Sequence, residues 1–291
     1  MTEIVQNCPL CGSKANSQFD QRKFRGIPVT NLICQHCGMV YQSPRMNDTE
    51  RQSFYEQGYR ELYQGQESPK TSDLRVQEAR AEHIIEFISN PVKSAGRILD
   101  IGCSAGILLK HFQNHFHAQI AGVEPGKMHR EYARSSGMDV FPSLEELSIA
   151  IPGRFDLISM MHVLEHIPEP VGYLQNLRVI LLASAGWLLI EVPNLYAHDS
   201  FEVAHPISFS SHTLVQTLQQ AGYQSVKLKL HGLPRSRLIP LYITVLAHPA
   251  PADSEPPLIR KELGVKLKRK LGLSQRRLLE RFLSRYAWRE P

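Results

Sequence analysis

The chain has 291 residues, 42% hydrophobic and 21% charged, a composition of soluble globular proteins with room for one large core and appendages. No run approaches the ~18 apolar residues of a membrane span, and the opening MTEIVQNC lacks the basic-then-apolar pattern of a secretion signal, so a cytoplasmic protein is expected. The net charge of +5 is uneven: residues 258–291 hold 11 Lys and Arg against 3 Asp and Glu, a local +8, which leaves −3 for residues 1–257 and argues against a broad nucleic-acid-binding surface on the body.

Four of the five cysteines fall in the first 37 residues, as Cys8-Pro-Leu-Cys11 and Cys34-Gln-His-Cys37. The two C-x2-C knuckles are separated by 22 residues, and each is followed by a glycine, Gly12 or Gly38. In a reducing compartment clustered cysteines mark metal rather than disulfides. Four thiolates at this spacing suit tetrahedral Zn²⁺, and the segment between them has too few apolar residues to form a core without it. A closed four-cysteine site leaves no position for a substrate, so the zinc is read as structural and residues 1–45 as a zinc ribbon.

Residues 46–90 read as a helical connector or lid, with the Tyr-rich FYEQGYRELY (54–63) and then LRVQEARAEHIIEFI (74–88), whose apolar residues recur at helical spacing. Strand and helix patterns then alternate. RILDI (97–101) reads as a strand, ILLKHFQNHF as a helix, QIAGVE (119–124) as a strand and 127–136 as a helix. MDVF is a short strand, FDLISMM (155–161) a buried one, 170–183 a helix and GWLLIEV (186–192) a strand. This βαβ alternation predicts an α/β fold with a parallel sheet covered on both faces, presenting ligands at the C-terminal ends of its strands.

Asp100 and Glu124 stand at two such ends. The turn Asp100-Ile-Gly-Cys-Ser-Ala-Gly106 joins the first strand to its helix. Glycine-rich turns of this kind commonly cradle phosphate, but a carboxylate at the mouth would repel a pyrophosphate. Only Gly102 and Gly106 are present, with Ser104 where a dinucleotide fingerprint has its middle glycine. Glu124 lies 22 residues past Gly102, the spacing of an acid that takes a ribose diol. Two acids, a tight turn and a helix N-terminus together suit a ligand with a ribose and a cationic amino-acid end but no phosphate, and S-adenosylmethionine (SAM) is such a ligand.

In DIGCSAG, GVEP, FDLISMMHVLEHI and GWLLIEVPN, over about 97–247, the chain resembles the class I SAM-dependent methyltransferases. The resemblance implies a seven-stranded, mostly parallel Rossmann-like sheet over residues 91–248. It also implies that Asp100, Gly102, Cys103 and Gly106 frame the methionine part, that Glu124 binds the ribose hydroxyls, that Ser143 and Leu144 lie near the adenine, and that Met160 and Met161 wall the pocket. The family turn usually reads D-x-G-C-G-x-G, so Ser104 departs from it. The front knuckles, the YQSPR stretch, the Tyr-rich helix and His205-Pro-Ile-Ser-Phe-Ser-Ser-His-Thr-Leu resemble enzymes of saccharide and natural-product clusters. That implies O-methylation of a saccharide or a similar hydroxylated small metabolite. Ser210 reads as the N-cap of the helix TLVQTLQQAGY, which Gly222 ends.

His162-Val-Leu-Glu165-His166 also fits H-x-x-E-H, an inverted zinc-protease pattern. A strand precedes it and Pro168 follows, so the segment is read as a loop at a strand's C-terminal end. Methyl transfer to a hydroxyl needs its proton removed, and His166, His162 and His205 are the candidate bases. Quinone O-methyltransferases resemble the chain in an E-x-x-E-H at this place and can use a divalent metal; here His162 replaces the first Glu. The alternative function is therefore quinone or phenol O-methylation, with rRNA methylation and a non-catalytic SAM-binding module behind it. The [N/D]-P-P-[Y/F] loop of enzymes that methylate exocyclic base nitrogens is absent, which argues against nucleic-acid partners.

PAPADSEPP (249–257) is a proline-rich linker. Beyond it, residues 258–291 read as a basic amphipathic tail, with Leu263, Leu267 and Leu271 four apart and Leu278, Leu279, Phe282, Leu283 and Tyr286 along one face. Such a tail either lies on an anionic membrane surface, here the inner face, or on a partner protein, or docks on the body as an ordinary helix.

Overall fold

The computed structural model describes residues 2–57, 68–199 and 201–288. The Tyr-rich stretch beyond Gln57 lies outside them. At the front, strands β1 (Asn16–Phe24) and β2 (Ile27–Cys34) form an antiparallel hairpin, and β3 (Val40–Gln42) pairs with β2.

The main sheet uses β4 (Arg97–Ile101), β5 (Gln119–Val123), β6 (Val140–Phe141), β7 (Phe155–Met161) and β8 (Leu182–Pro193). The two-residue β9 (Ile207–Ser208) belongs instead to the front sheet, which runs β1-β2-β3-β9. With β10 (Tyr223–His231) and β11 (Tyr242–Pro249) the large sheet has seven strands in the order β10-β11-β8-β7-β4-β5-β6. The pairs from β8 through β6 are parallel, while β11 is antiparallel to both β8 and β10. The sheet is the mostly parallel, Rossmann-like methyltransferase sheet that the sequence implies.

Its core follows from the period-2 alternation of strand side chains. Leu157, Leu189 and Leu246 face the helices Thr71–Ile88 and Ile107–Phe116, meeting Ile84, Ile88 and Phe112. Ile158, Ile190 and Val245 face the opposite side, where Leu174, Leu214 and Leu218 cover them. Leu99, Ile158, Leu188, Leu189 and Ile190 are all fully buried, which explains their unbroken apolar runs.

Two boundaries differ from expectation. The helix starting at Pro170, where proline suits the first turn, ends at Asn176 and is followed by one π turn, Leu177–Leu181. The wider turn delivers the chain straight into β8 at Leu182, so no helix continues to 183.

The tail also differs. Residues 258–264 are not helical; a long helix, Val265–Phe282, runs through Gly272, and a short one, Ser284–Ala287, follows it. A Cβ at Gly272 would sit 2.1 Å from the Tyr196 carbonyl oxygen, so only glycine permits this approach. The helix docks through Val265, Arg269, Gly272, Arg276 and Leu279 rather than through its leucine stripe, because Arg269 and Arg276 donate to the carbonyls of Leu195, His198 and Ala197. Ahead of it, the Glu262 amide donates to Cys37 O at 3.0 Å, tying the tail to the front sheet.

Candidate active site

The C-terminal ends of β4, β5 and β7 open into a cavity of about 890 Å³. Asp100, at the end of β4, is 3% exposed and accepts a hydrogen bond from Ser159 Oγ at 2.6 Å. Burial, reinforced by the charge of Glu124, pushes its carboxyl up to about 7. The turn then folds back: the amides of Gly102 and Cys103 both donate to Val123 O, at 2.7 and 3.1 Å. Gly102 has φ +75° and lies against Val163, whose Cγ2 would be 2.5 Å from an added Cβ.

Glu124 continues β5 and is 4% exposed. Its Oε2 accepts from Ser104 N at 2.9 Å and its Oε1 from Gly126 N at 2.8 Å, so two backbone amides fix the carboxylate at the rim. Ser104 takes φ +51°, left-handed backbone that favours glycine. The departure from the family turn therefore carries local strain, held by the Glu124 bond.

Ser143 and Leu144 line the cavity beyond β6, where Ser143 caps the next helix by accepting from Glu146 N. Cys103 and Met161 also line it. Met160 and Gly106 do not. Met160 points to the opposite face of β7, fully buried among Ile158 and Ile190, as strand alternation requires. Gly106 instead starts the helix after the turn, and an added Cβ there would be 2.5 Å from Met138 Sδ.

All three candidate histidines line the same cavity. His162 follows β7 with φ +57°, and its ring is held between two buried carboxylates: Nδ1 is 3.3 Å from Glu165 Oε1 and Nε2 is 3.1 Å from Glu191 Oε1. Burial and the Arg80 guanidinium oppose its charged form, yet the two carboxylates outweigh them and raise its pKa. The His166 ring is placed differently. Its Nδ1 donates to Ala204 O at 2.8 Å, so in the neutral ring Nε2 is the basic nitrogen. His205 meets it edge-on at 4.7 Å between centroids and lies 3.1 Å from Glu202. The two carboxylates thus favour the protonated form of His162, while Ala204 O fixes the orientation of the His166 ring. The H-x-x-E-H segment is a short 3₁₀ turn, Leu164–His166, rather than a continuous helix.

Sequence reasoning missed the buried polar network behind Arg80 and His162 of the cavity wall. Glu191, 0% exposed, meets Arg80 Nε at 3.0 Å, His162, His231 at 3.3 Å and the Thr244 hydroxyl at 2.9 Å. Burial opposes its charge, but His162, His231 and Arg80 hold it well below the ordinary carboxylate range. A lone acid near the C-terminal end of an apolar strand was the available signal, the same one that exposed Asp100 and Glu124.

Two clusters have metal-ligand chemistry among the described residues. Cys8, Cys11, Cys34 and Cys37 bring their sulfurs within 4.8 Å of one another. The Cys8–Cys37 and Cys11–Cys34 separations of 3.5 Å are far longer than a disulfide and suit four sulfurs around one ion. Gly12 and Gly38, at φ +70° and +87°, turn each knuckle by donating to the carbonyl of its first cysteine, and Met39 N reaches Cys37 Sγ. Glu165, His166 and His205 also converge within 4.8 Å, with the buried Glu165 carboxylate 3.3 Å from His162 Nδ1.

Residues 74–228 match the family described as the methyltransferase domain. A ubiquinone biosynthesis O-methyltransferase from Xanthomonas euvesicatoria pv. vesicatoria is 31% identical over 118 residues, covering 38% of this chain and 48% of that protein. Its namesake from Nitrosococcus oceani is 35% identical over 113 residues, 36% of this chain and 44% of that protein. The chain thus spans about half the length of the curated relatives it matches. Among solved structures, the plantazolicin methyltransferase BpumL in complex with a triazolic desmethylPZN analog and SAH aligns with TM-score 0.53 at 13% identity, over 69% of this chain and 95% of that one. A SAM dependent methyltransferase from Archaeoglobus fulgidus aligns with TM-score 0.50 at 18% identity, over 65% of this chain and 97% of that one. These likenesses concern the fold, whereas the family match takes in more than half the chain, including the acid-rimmed turn and the histidine loop. On that match the chain belongs to the methyltransferase domain family.

Proposed function

We propose that the protein is a SAM-dependent O-methyltransferase whose acceptor is a phenol or quinol hydroxyl. SAM, when bound, supplies a methyl group on a sulfonium that is already activated for displacement. Asp100 would face the ammonium from the floor of the turn. The amides of Ser104 and Gly126 orient the Glu124 carboxylate, which would take the ribose hydroxyls. Ser143 and Leu144 would flank the adenine.

The observation that carries the reading is the placement of His166 in the cavity wall with Nδ1 donating to Ala204 O, which makes Nε2 the ring nitrogen able to act as a base. In this reading His166 Nε2 takes the hydroxyl proton as the acceptor oxygen takes the methyl. The match in acidity favours a phenol. A phenol near pKa ~10 lies roughly 3–4 units above an ordinary imidazole, whereas an aliphatic hydroxyl is closer to water at ~15.7. The names of the curated relatives point the same way, and the saccharide acceptor becomes an outcome of the test. Zinc in the four-cysteine set would be structural, its ligands all supplied by the chain.

Methyl-labelled SAM should be offered with catechols and hydroquinones in one series and with sugar nucleotides and oligosaccharides in another. Label is expected on the phenols, and His166→Gln should lower kcat ~10²-fold or more while SAM affinity stays within a few fold. Label on saccharides alone would replace the acceptor class. Tight SAM binding with no turnover on either series would leave a SAM-binding module.

A further inference from the structure

The helix Val265–Phe282 turns charge inward and grease outward. Arg269, 5% exposed, donates to the carbonyls of Leu195 and His198, pairs with Asp199 at 3.0 Å, and lies 3.9 Å from the Phe201 ring centroid. Arg276 donates to Ala197 O. The opposite side carries Leu267, Leu271, Leu278 and Phe282, which remain 60%, 61%, 57% and 69% exposed although the helix is docked. At about 100° per residue these four fall in one sector, roughly opposite Val265, Arg269 and Gly272. Lys270, Arg277 and Arg281, all exposed, border that sector along one side. None of the three forms an ion pair among the described residues.

We infer that this outer face docks on the surface of an anionic lipid bilayer. The charge row selects the occupant. A helix with an apolar stripe and a cationic border lies in the headgroup plane, its apolar residues below and its cations at the phosphates. A second copy of the chain would instead bring two like-charged rows together. No described helix is long and apolar enough to cross a membrane, so the contact is peripheral. The inner side of the helix packs beside the cavity, because Arg269 donates to the carbonyl of His198, a residue of the cavity wall, and the apolar stripe faces away from it.

Vesicle co-sedimentation of the full chain tests the assignment. The protein should sediment with vesicles containing phosphatidylglycerol and not with pure phosphatidylcholine, and it should leave them as salt rises past ~0.5 M. The triple substitution Leu267→Ser, Leu271→Ser, Phe282→Ser should cut vesicle affinity at least ~tenfold while leaving melting temperature and SAM affinity unchanged, since these side chains are already in solvent. Lys270→Gln with Arg277→Gln and Arg281→Gln should abolish the preference for anionic lipid. Failure of the wild-type chain to sediment would overturn the proposal, as would a triple-serine variant that sediments equally well. A wild-type dimer that the serine variant converts to monomer, without vesicle binding, would assign the stripe to a second copy.

Discussion

Asp100 carries the most unusual residue-level chemistry in the cavity, since a buried carboxyl near pKa 7 is only partly ionised at neutral pH. Its folded value lies above its unfolded one, so the stability linked to its protonated form is complete below about 4 and lost as pH rises through 7. A cationic ligand reverses the preference by requiring the ionised form. SAM binding should therefore weaken by roughly tenfold or more as pH falls from 7.5 to 5.5, as calorimetry can measure. Asp100→Asn should bind weakly with a flat profile. A flat profile in the wild-type chain would remove Asp100 from contact with the ammonium.

At the scale of elements, the front strands are joined to the body by more than a linker. Cys8, Cys34 and Cys37 belong to the same apolar cluster as Ile158 and Leu214, and β9 adds a strand from the body to the front sheet. Cys34→Ser should lower zinc below one per chain and, because of this continuity, lower the melting temperature of the whole molecule by ~10 °C or more. A sheet that melts unchanged would mean that the two parts fold separately. The parallel strands were legible in the sequence because burial on both faces leaves unbroken apolar runs, as in FDLISMM. The β9 pairing was not, since two residues carry no period and their partners lie more than 160 positions away. Glu191 stands out in the sequence only as one acid near the end of an apolar strand; its partners do not, and only the fold shows His162, Arg80 and Thr244 converging on it. The tail's period announced a helix but not which face docks, because the backbone carbonyls that capture Arg269 and Arg276 are set by a distant turn.

Across the whole molecule, Glu262 is the fastening between the two ends of the chain. Its carboxylate accepts from the hydroxyls of Ser210 and Tyr196, both at 2.5 Å, and its Cβ fills the space beside Gly38. Glu262→Ala would strand two hydroxyl donors, at a cost of about 2–4 kcal/mol. Scanning calorimetry should then register a melting temperature ~5–10 °C lower; a shift under ~2 °C would make the fastening incidental. The same contact sets an order of events during synthesis. All four cysteines emerge with the first residues, so metal can be captured early. The strand at 207–208 and the Glu262 contact with Cys37 come well over a hundred positions later in the chain. Metal bound to a growing chain would exchange with its surroundings, and the arrival of these two contacts would lock it in place.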